Sequence, residues 1–225
     1  MSALGTNLTC RAGLANDAID PFETLMRRDV NLARVTYRRS ATKRVHAPQM
    51  RGAYGVKMEI REFSTDDATA VQELFVQVNR LLAPEDMKDA FEIYIARSLT
   101  EEIDRVSEYY SERKGGFWVA VDGQKIVGMF GLEPSGEGAM ELRRMYLHPD
   151  FRRRGIARRM LNFAEQECRR RNRPRMNLST SELQQEALAL YQNAGYGLVR
   201  EEVAVDASHK TLGGGIRRYH FTKAL

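Results

Sequence analysis

Cysteine is scarce, with two in 225 residues, Cys10 and Cys168. They are too far apart to suggest a disulfide framework, so a reducing, cytoplasmic setting is expected. Neither sits in a Cys/His cluster with zinc-ligand spacing, so no metal is expected. No stretch approaches the roughly 18 apolar residues of a membrane span, and no N-terminal segment resembles a secretory signal. There is no G-x-x-x-x-G-K-[ST] phosphate loop. Gly213-Gly214-Gly215 does not open a helix, so it reads as a flexible turn. Aromatic residues are not interleaved with the run Arg169–Arg171, which makes nucleic-acid binding a poor reading.

What is present is charge, unevenly placed. The net charge is +5. Residues 1–57 hold 10 Lys and Arg against 4 Asp and Glu, whereas the remainder holds 25 against 26. The basic character therefore belongs to an N-terminal extension, read as a flexible arm with a short helix between Asp20 and Val35. Its Arg-rich start suggests a transit peptide, but Asp17, Asp20, Glu23 and Asp29 argue against one. The domain proper runs from 58 to 225 and is near neutral, with its signs segregated. Residues 143–175 hold 12 basic and 3 acidic side chains, and 85–112 hold 3 and 9. Such segregation can draw different parts of a ligand to different faces, or reflect two solvated helix surfaces.

The domain opens with the alternating strand Met58–Phe63. Ser64 or Thr65 with Asp66 and Asp67 then starts an amphipathic helix that ends before Pro84. Residues 85–112 read as one acidic helix with Phe91, Ile95, Leu99, Ile103 and Val106 as its buried stripe. A hairpin follows, Phe117–Val121 and Lys125–Leu132, turned at Asp122-Gly123. Beyond a Gly-rich loop come the strand around Glu141–Leu147, a long basic helix, and the strand Met176–Thr180. A helix from Leu183 to Ala194 and a terminal pair at Leu198–Val205 and Arg217–Lys223 complete the chain. The order predicts an α+β (mixed α/β) fold, a sheet covered by helices.

The organising stretch runs from Glu141 through Pro149 to Leu161, a strand that passes through a short loop into a helix. The loop Arg152-Arg153-Arg154-Gly155-Ile156-Ala157 sets three guanidinium groups beside a glycine where the helix begins. The first N–H groups of a helix lack internal partners and the dipole is positive there, so a small-residue loop lets an anion approach. Arg152-x-x-Gly155-x-Ala157, preceded by Glu-Leu-x-Arg-Met-Tyr-Leu-x-Pro, resembles the acyl-CoA-binding signature of the GNAT superfamily of N-acetyltransferases. A second GNAT-like segment, Glu186-Ala-Leu-Ala-Leu-Tyr191-Gln-Asn-Ala-Gly195-Tyr196, lies downstream.

The resemblance covers about Met58 to Leu225 and implies a mixed, mostly antiparallel sheet. It implies acetyl-CoA as co-substrate and an amine acceptor. It assigns the pantetheine arm to backbone groups of Met145, Tyr146 and Leu147, with an oxyanion contact among them. The pyrophosphate falls to the loop residues Arg152, Arg153, Arg154, Gly155, Ile156, Ala157 and Arg158.

By the same resemblance, Tyr191 is the proton source for the departing thiolate, against a role in core packing. Glu141 is the carboxylate that deprotonates the amine through water, against a surface carboxylate or a partner of Arg143. Weaker candidates are His148 in its turn, His220 on the last strand, Asn193, Gln184 and Gln185; Trp118 reads as core. No cysteine stands in a nucleophile context, so direct transfer in a ternary complex is expected. The acidic 85–112 segment favours a cationic small amine. The alternatives are a protein amine and a non-catalytic acyl-CoA-binding or regulatory module. A homodimer is left open.

Overall fold

The computed structural model describes residues 58–136 and 138–225. The arm, with the helix expected between Asp20 and Val35, lies outside the described residues. Seven strands form one sheet in the order β1-β2-β3-β4-β5-β7-β6. In chain order they are β1 Met58–Glu62, β2 Gly116–Asp122, β3 Lys125–Ser135, β4 Ala139–Leu147, β5 Arg175–Ser181, β6 Gly197–Ala204 and β7 Ile216–Ala224. Every pairing is antiparallel except β4 with β5, so the expected mixed, mostly antiparallel sheet is present.

The helices are α1 Ala68–Leu82, α2 Lys88–Glu101, α3 Val106–Glu112, α4 Ile156–Arg170 and α5 Gln185–Asn193. Ser64 and Asp67 form a reciprocal capping box that turns the chain from β1 towards α1. Gly123, at φ 64°, supplies the left-handed residue of the β2–β3 hairpin turn.

Alternation along the strands divides the core in two. Trp118, Ala120, Phe130, Leu142 and Leu178 pack with Met160, Ala164 and Cys168 of α4 and Tyr191 of α5. Phe117, Val119, Val121 and Met129 pack on the other face with Val71 and Phe75 of α1, Ile95 of α2 and Tyr110 of α3. Trp118 is core, stacked on Phe130 at 5.5 Å.

Two sequence expectations need adjusting. The acidic segment is not one helix. At Glu102 the backbone leaves helical geometry (φ −140°, ψ −55°), and a 3-10 turn over Ile103–Arg105 separates α2 from α3. Phe91, Ile95, Ile103 and Val106 are buried as the stripe predicts, but so is Glu102, which apolar periodicity cannot flag. The helix expected from Leu183 begins at Gln185, after a turn in which Gln184 N–H donates to the Ser181 carbonyl.

Candidate active site

The site begins with an irregularity in β4. Its register against β3 slips between Met129 and Gly131, and Arg144 takes φ 51°. Neighbouring residues of a regular strand point to opposite faces. Here the extra residue turns Arg143 and Arg144 to the same face, and both donate to Glu102 Oε2 at 2.8 Å. Glu102 is fully buried and also accepts from the Tyr110 hydroxyl at 2.7 Å. Burial pushes its pKa up, but Arg144 and Arg143 outweigh that and hold it at about 2. Burial likewise raises the pKa of Tyr110. Arg143 also lies 3.3 Å from Glu133, which pairs with Lys210 at 2.6 Å. Arg144 donates to the Tyr94 hydroxyl at 2.6 Å and to the His209 carbonyl. Among the described residues, the buried Nε atoms of Arg143 and Arg144 have no hydrogen-bond partner.

Beyond the irregularity, β4 and β5 part. Their ladder consists of Met140↔Met176, Glu141↔Asn177 and Leu142↔Leu178. After it the strands diverge, and a cleft with a cavity of about 150 Å³ opens between them. Glu141, Met145, Tyr146 and Tyr191, four residues singled out in the sequence, line it. Tyr191 comes from the α5 face, is 5% exposed, and directs its hydroxyl to Met145 Sδ at 3.9 Å. Burial raises its pKa, so the phenol keeps its proton at neutral pH. Glu141 belongs to the opposite face, because Met140 and Leu142 on either side of it enter the α4–α5 core. Among the described residues no hydrogen bond or ion pair engages its carboxylate, and Arg143 is paired with Glu102 and Glu133 instead. Leu147 does not line the cleft; it pairs with Gly128 and packs against the core.

The arginine loop follows β4. Arg153 and Gly155 take left-handed φ values of 58° and 75°, and Gly155 precedes α4 with no side chain capping the helix. A Cβ at Gly155 would meet nothing within 4 Å, so the approach to these N–H groups is open. Ile156 is buried and anchors the helix start, Ala157 is half-buried, and Arg153, Arg154 and Gly155 are exposed. Arg154 donates to the Asp150 carbonyl at 2.7 Å. Arg152 pairs with Glu186 at 3.3 Å and Arg158 donates to the Asn193 carbonyl at 3.2 Å, tying the loop to α5. The two motifs seen separately in the sequence are thus adjacent.

Residues 82–196 match the family model described as acetyltransferase (GNAT) family. The chain belongs to the GNAT family. It is 33% identical to human N-acetyltransferase 8 over 102 residues, 43% of this chain and 45% of that one. It is 28% identical to rat N-acetyltransferase family 8 member 2 over 137 residues, 59% of each. The chain therefore spans about half the length of the curated relatives it matches. Among solved structures, a GNAT acetyltransferase from Staphylococcus aureus superposes with a TM-score of 0.57 at 22% identity, over 72% of this chain and 97% of that one. The paia N-acetyltransferase of Thermoplasma acidophilum, solved in complex with coenzyme A, gives 0.57 at 18% identity, over 75% and 99%. At such identities the likeness establishes the GNAT fold.

Other parts of this GNAT chain were not legible as site residues. Lys210, Thr211 and Gly213, from the segment joining β6 and β7, line the cleft, as does Arg218 of β7. Gly213 has φ 74°, and a Cβ there would lie 2.8 Å from the Ala207 nitrogen, so this turn is close-packed. None of the acidic residues of 85–112 lines the cleft. Glu102 is consumed by two arginines, Glu92 pairs with Arg80, and Glu101 pairs with His209. The expectation that this segment offers negative charge to the acceptor is not met. His220 is engaged by Glu202 at 2.7 Å, and His148 opens the turn at Pro149. Among the described residues no cluster of His, Cys, Asp and Glu could hold a metal ion, and no helix is long and apolar enough to cross a membrane.

Proposed function

We propose that this chain transfers an acetyl group from acetyl-CoA directly to the primary amine of a small molecule, and that residues 58–225 form the catalytic unit. The observation that carries the reading is the split between β4 and β5, with Glu141 on one face and Tyr191 on the other. The residues present fit the co-substrate: an uncapped helix start, an open Gly155 and the neighbouring arginines suit a pyrophosphate. The Thermoplasma relative, whose structure contains coenzyme A, supports the same choice. Bound there, acetyl-CoA supplies the thioester.

The chain's own residues do the rest. The loop from Arg152 to Arg158 holds the diphosphate, and the backbone of Met145 and Tyr146, which line the cleft, runs along the pantetheine arm. A backbone N–H in that run donates to the negative charge that develops on the carbonyl oxygen. Glu141, free of other partners, accepts the amine proton, through water where the distance requires it. Tyr191 donates to the departing sulfur. Burial keeps its phenol protonated until the departing thiolate, desolvated in the same cleft, takes that proton to become the CoA thiol. Direct transfer is favoured because Cys168 is fully buried in α4 and burial pushes its thiol up to about 12. A small acceptor is favoured over a protein amine because the cleft that Lys210, Thr211 and Gly213 line together with Leu82, Phe91 and Tyr94 has a cavity of only about 150 Å³.

The test is release of the CoA thiol from acetyl-CoA across a panel of amines. Turnover that needs an amine, with no label left on protein incubated with labelled acetyl-CoA alone, supports direct transfer. Acetyl-CoA binding without turnover on any amine would return the chain to the class of acyl-CoA-binding modules.

A further inference from the structure

The cleft is lined by four cations, and three of them already have carboxylate partners. Arg143 and Arg144 share Glu102, and Lys210 pairs with Glu133. The fourth, Arg218, differs. Its Nη1 donates to the Lys210 carbonyl at 3.2 Å and its Nη2 to the Ser179 hydroxyl. Among the described residues no carboxylate lies within ion-pair distance of it. A guanidinium offers five N–H donors in a planar fork that matches a carboxylate, and two of the five are used here.

Sheet register relates Arg218 to Glu141. Glu141 is opposite Asn177 of β5, and Arg218 is opposite Ser181 of the same strand. Residues 177, 179 and 181 of β5 share one face, and paired residues point the same way, so both charged groups project from one face of the sheet. Both line the cleft, one an anion without a partner and the other a cation bonded only to neutral groups.

We propose that the acceptor is an amine that also carries a carboxylate, Arg218 receiving the carboxylate while Glu141 faces the amine. This inference rests on the acyl-transfer reading and names its substrate class. The zwitterionic end of an α-amino acid carries one positive and one negative group on the same carbon, and the cleft offers one unmatched group of each sign to receive them. A doubly charged phosphate is disfavoured because Glu141 stands on the same face. Burial lowers the pKa of Arg218, and the fields of Tyr94, Glu202 and Glu141 work against that. A carboxylate ligand would relieve the same cost.

The experiment uses the full chain at saturating acetyl-CoA. Leucine, phenylalanine and methionine are each compared with their amide and their decarboxylated amine, and O-phosphoethanolamine is added to the panel. The carboxylate-bearing member of each set should exceed the others in kcat/KM by about 10²-fold, since a site built for a charged group rejects analogues lacking it. Arg218→Gln should bring that ratio to within roughly threefold of one, and Arg218→Lys should retain part of it, because the charge remains without the fork. Retained acetyl-CoA affinity shows that a variant has folded; if Arg218→Gln does not fold, the wild-type ratio and Arg218→Lys decide. Equal use of amides and amines, preference for the phosphate ester, or an unchanged ratio in Arg218→Gln would overturn the proposal while leaving acyl transfer intact. If no amine is turned over, the acyl-transfer reading fails instead. Calorimetric titration of the same panel in the presence of CoA then decides, with a tenfold tighter carboxylate member supporting the inference and its absence refuting it.

Discussion

The arginine loop and the arginine–carboxylate cluster beside the cleft are built on opposite principles. The arginine loop is local, exposed and made largely of backbone: six consecutive residues, a glycine with open space around it, and a helix start without a cap. The floor formed by this cluster is non-local, largely buried and made of side chains. Glu102, Glu133, Arg143 and Arg144 come from three separate parts of the chain and meet away from water, and Lys210, an exposed side chain from a fourth, reaches Glu133. A surface that waits for an anion can be left unsatisfied, because water solvates it in the interim. A buried carboxylate cannot, since an unpaired charge there costs several kcal/mol. Substitutions in the loop should therefore weaken binding and spare the fold, and substitutions in the floor should do the reverse.

Tyr191, which lines the cleft, should show the largest effect. Tyr191→Phe keeps the ring that packs against Tyr196 and Phe221 and removes only the hydroxyl. Turnover should fall by roughly 10²–10⁴ with acetyl-CoA affinity nearly unchanged, the usual worth of a positioned proton donor. Undiminished turnover would remove Tyr191 from the chemistry. Glu102→Gln tests the floor, because it leaves Arg143 and Arg144 facing a neutral amide in a dry site. Chemical denaturation should show a loss of about 3–5 kcal/mol. A loss below 1 kcal/mol would mean that water reaches the pair.

Gly155→Asp is the converse. Aspartate tolerates a left-handed φ better than most residues, and its charge suits a helix start, so stability should change by no more than about 1 kcal/mol. The same charge would face the diphosphate, and acetyl-CoA affinity should fall by roughly 10²-fold, the scale of a charge repulsion at close range in a partly solvated site. Unchanged affinity by calorimetry, with the fold intact, would show that the loop has been misassigned.

The contrast also explains what could be read from the sequence. Strands, hairpin, loop and α5 follow short-range rules, such as alternation, an Asp-Gly turn and a glycine before a helix, and all of them were visible. Arg143-Arg144, inside a strand whose one other charged residue is Glu141, is the one local sign of the floor, because two adjacent charges in a largely buried strand require a partner. What no local rule supplies is the irregularity at Arg144 that turns both arginines to one face, or the partner 41 residues upstream. Glu102 falls on a helical stripe that reads as apolar, and acid content alone suggested that its segment would face a cationic ligand. Tertiary pairing consumed that charge. Arg218 and Lys210 were invisible for the same reason, since their roles depend on β7 lying beside β5 and on the preceding turn folding back.

The smallest expected effect is in pH dependence, and it separates the loop from the floor without any mutation. Glu102 has its pKa held at about 2 in the folded chain, against an ordinary value of 4.5. A carboxyl whose pKa is depressed by folding stabilises the fold fully above the unfolded value and loses that contribution as pH falls towards the folded one. Stability should therefore be flat down to about pH 5 and then decline between roughly 4.5 and 2, by on the order of 3 kcal/mol from this group. The loop contains arginines, which do not titrate in this range, so it should contribute nothing to the slope. Denaturant melts at stepped pH would show the decline in the wild type and a shallower one in Glu102→Gln. Gly155→Asp should keep the wild-type slope apart from the small term of its own exposed carboxylate. A slope through that window that persisted undiminished in Glu102→Gln would place the acid sensitivity elsewhere, with Asp67 the next carboxylate to test, since its pKa is also lowered, first by its hydrogen bond from Arg61.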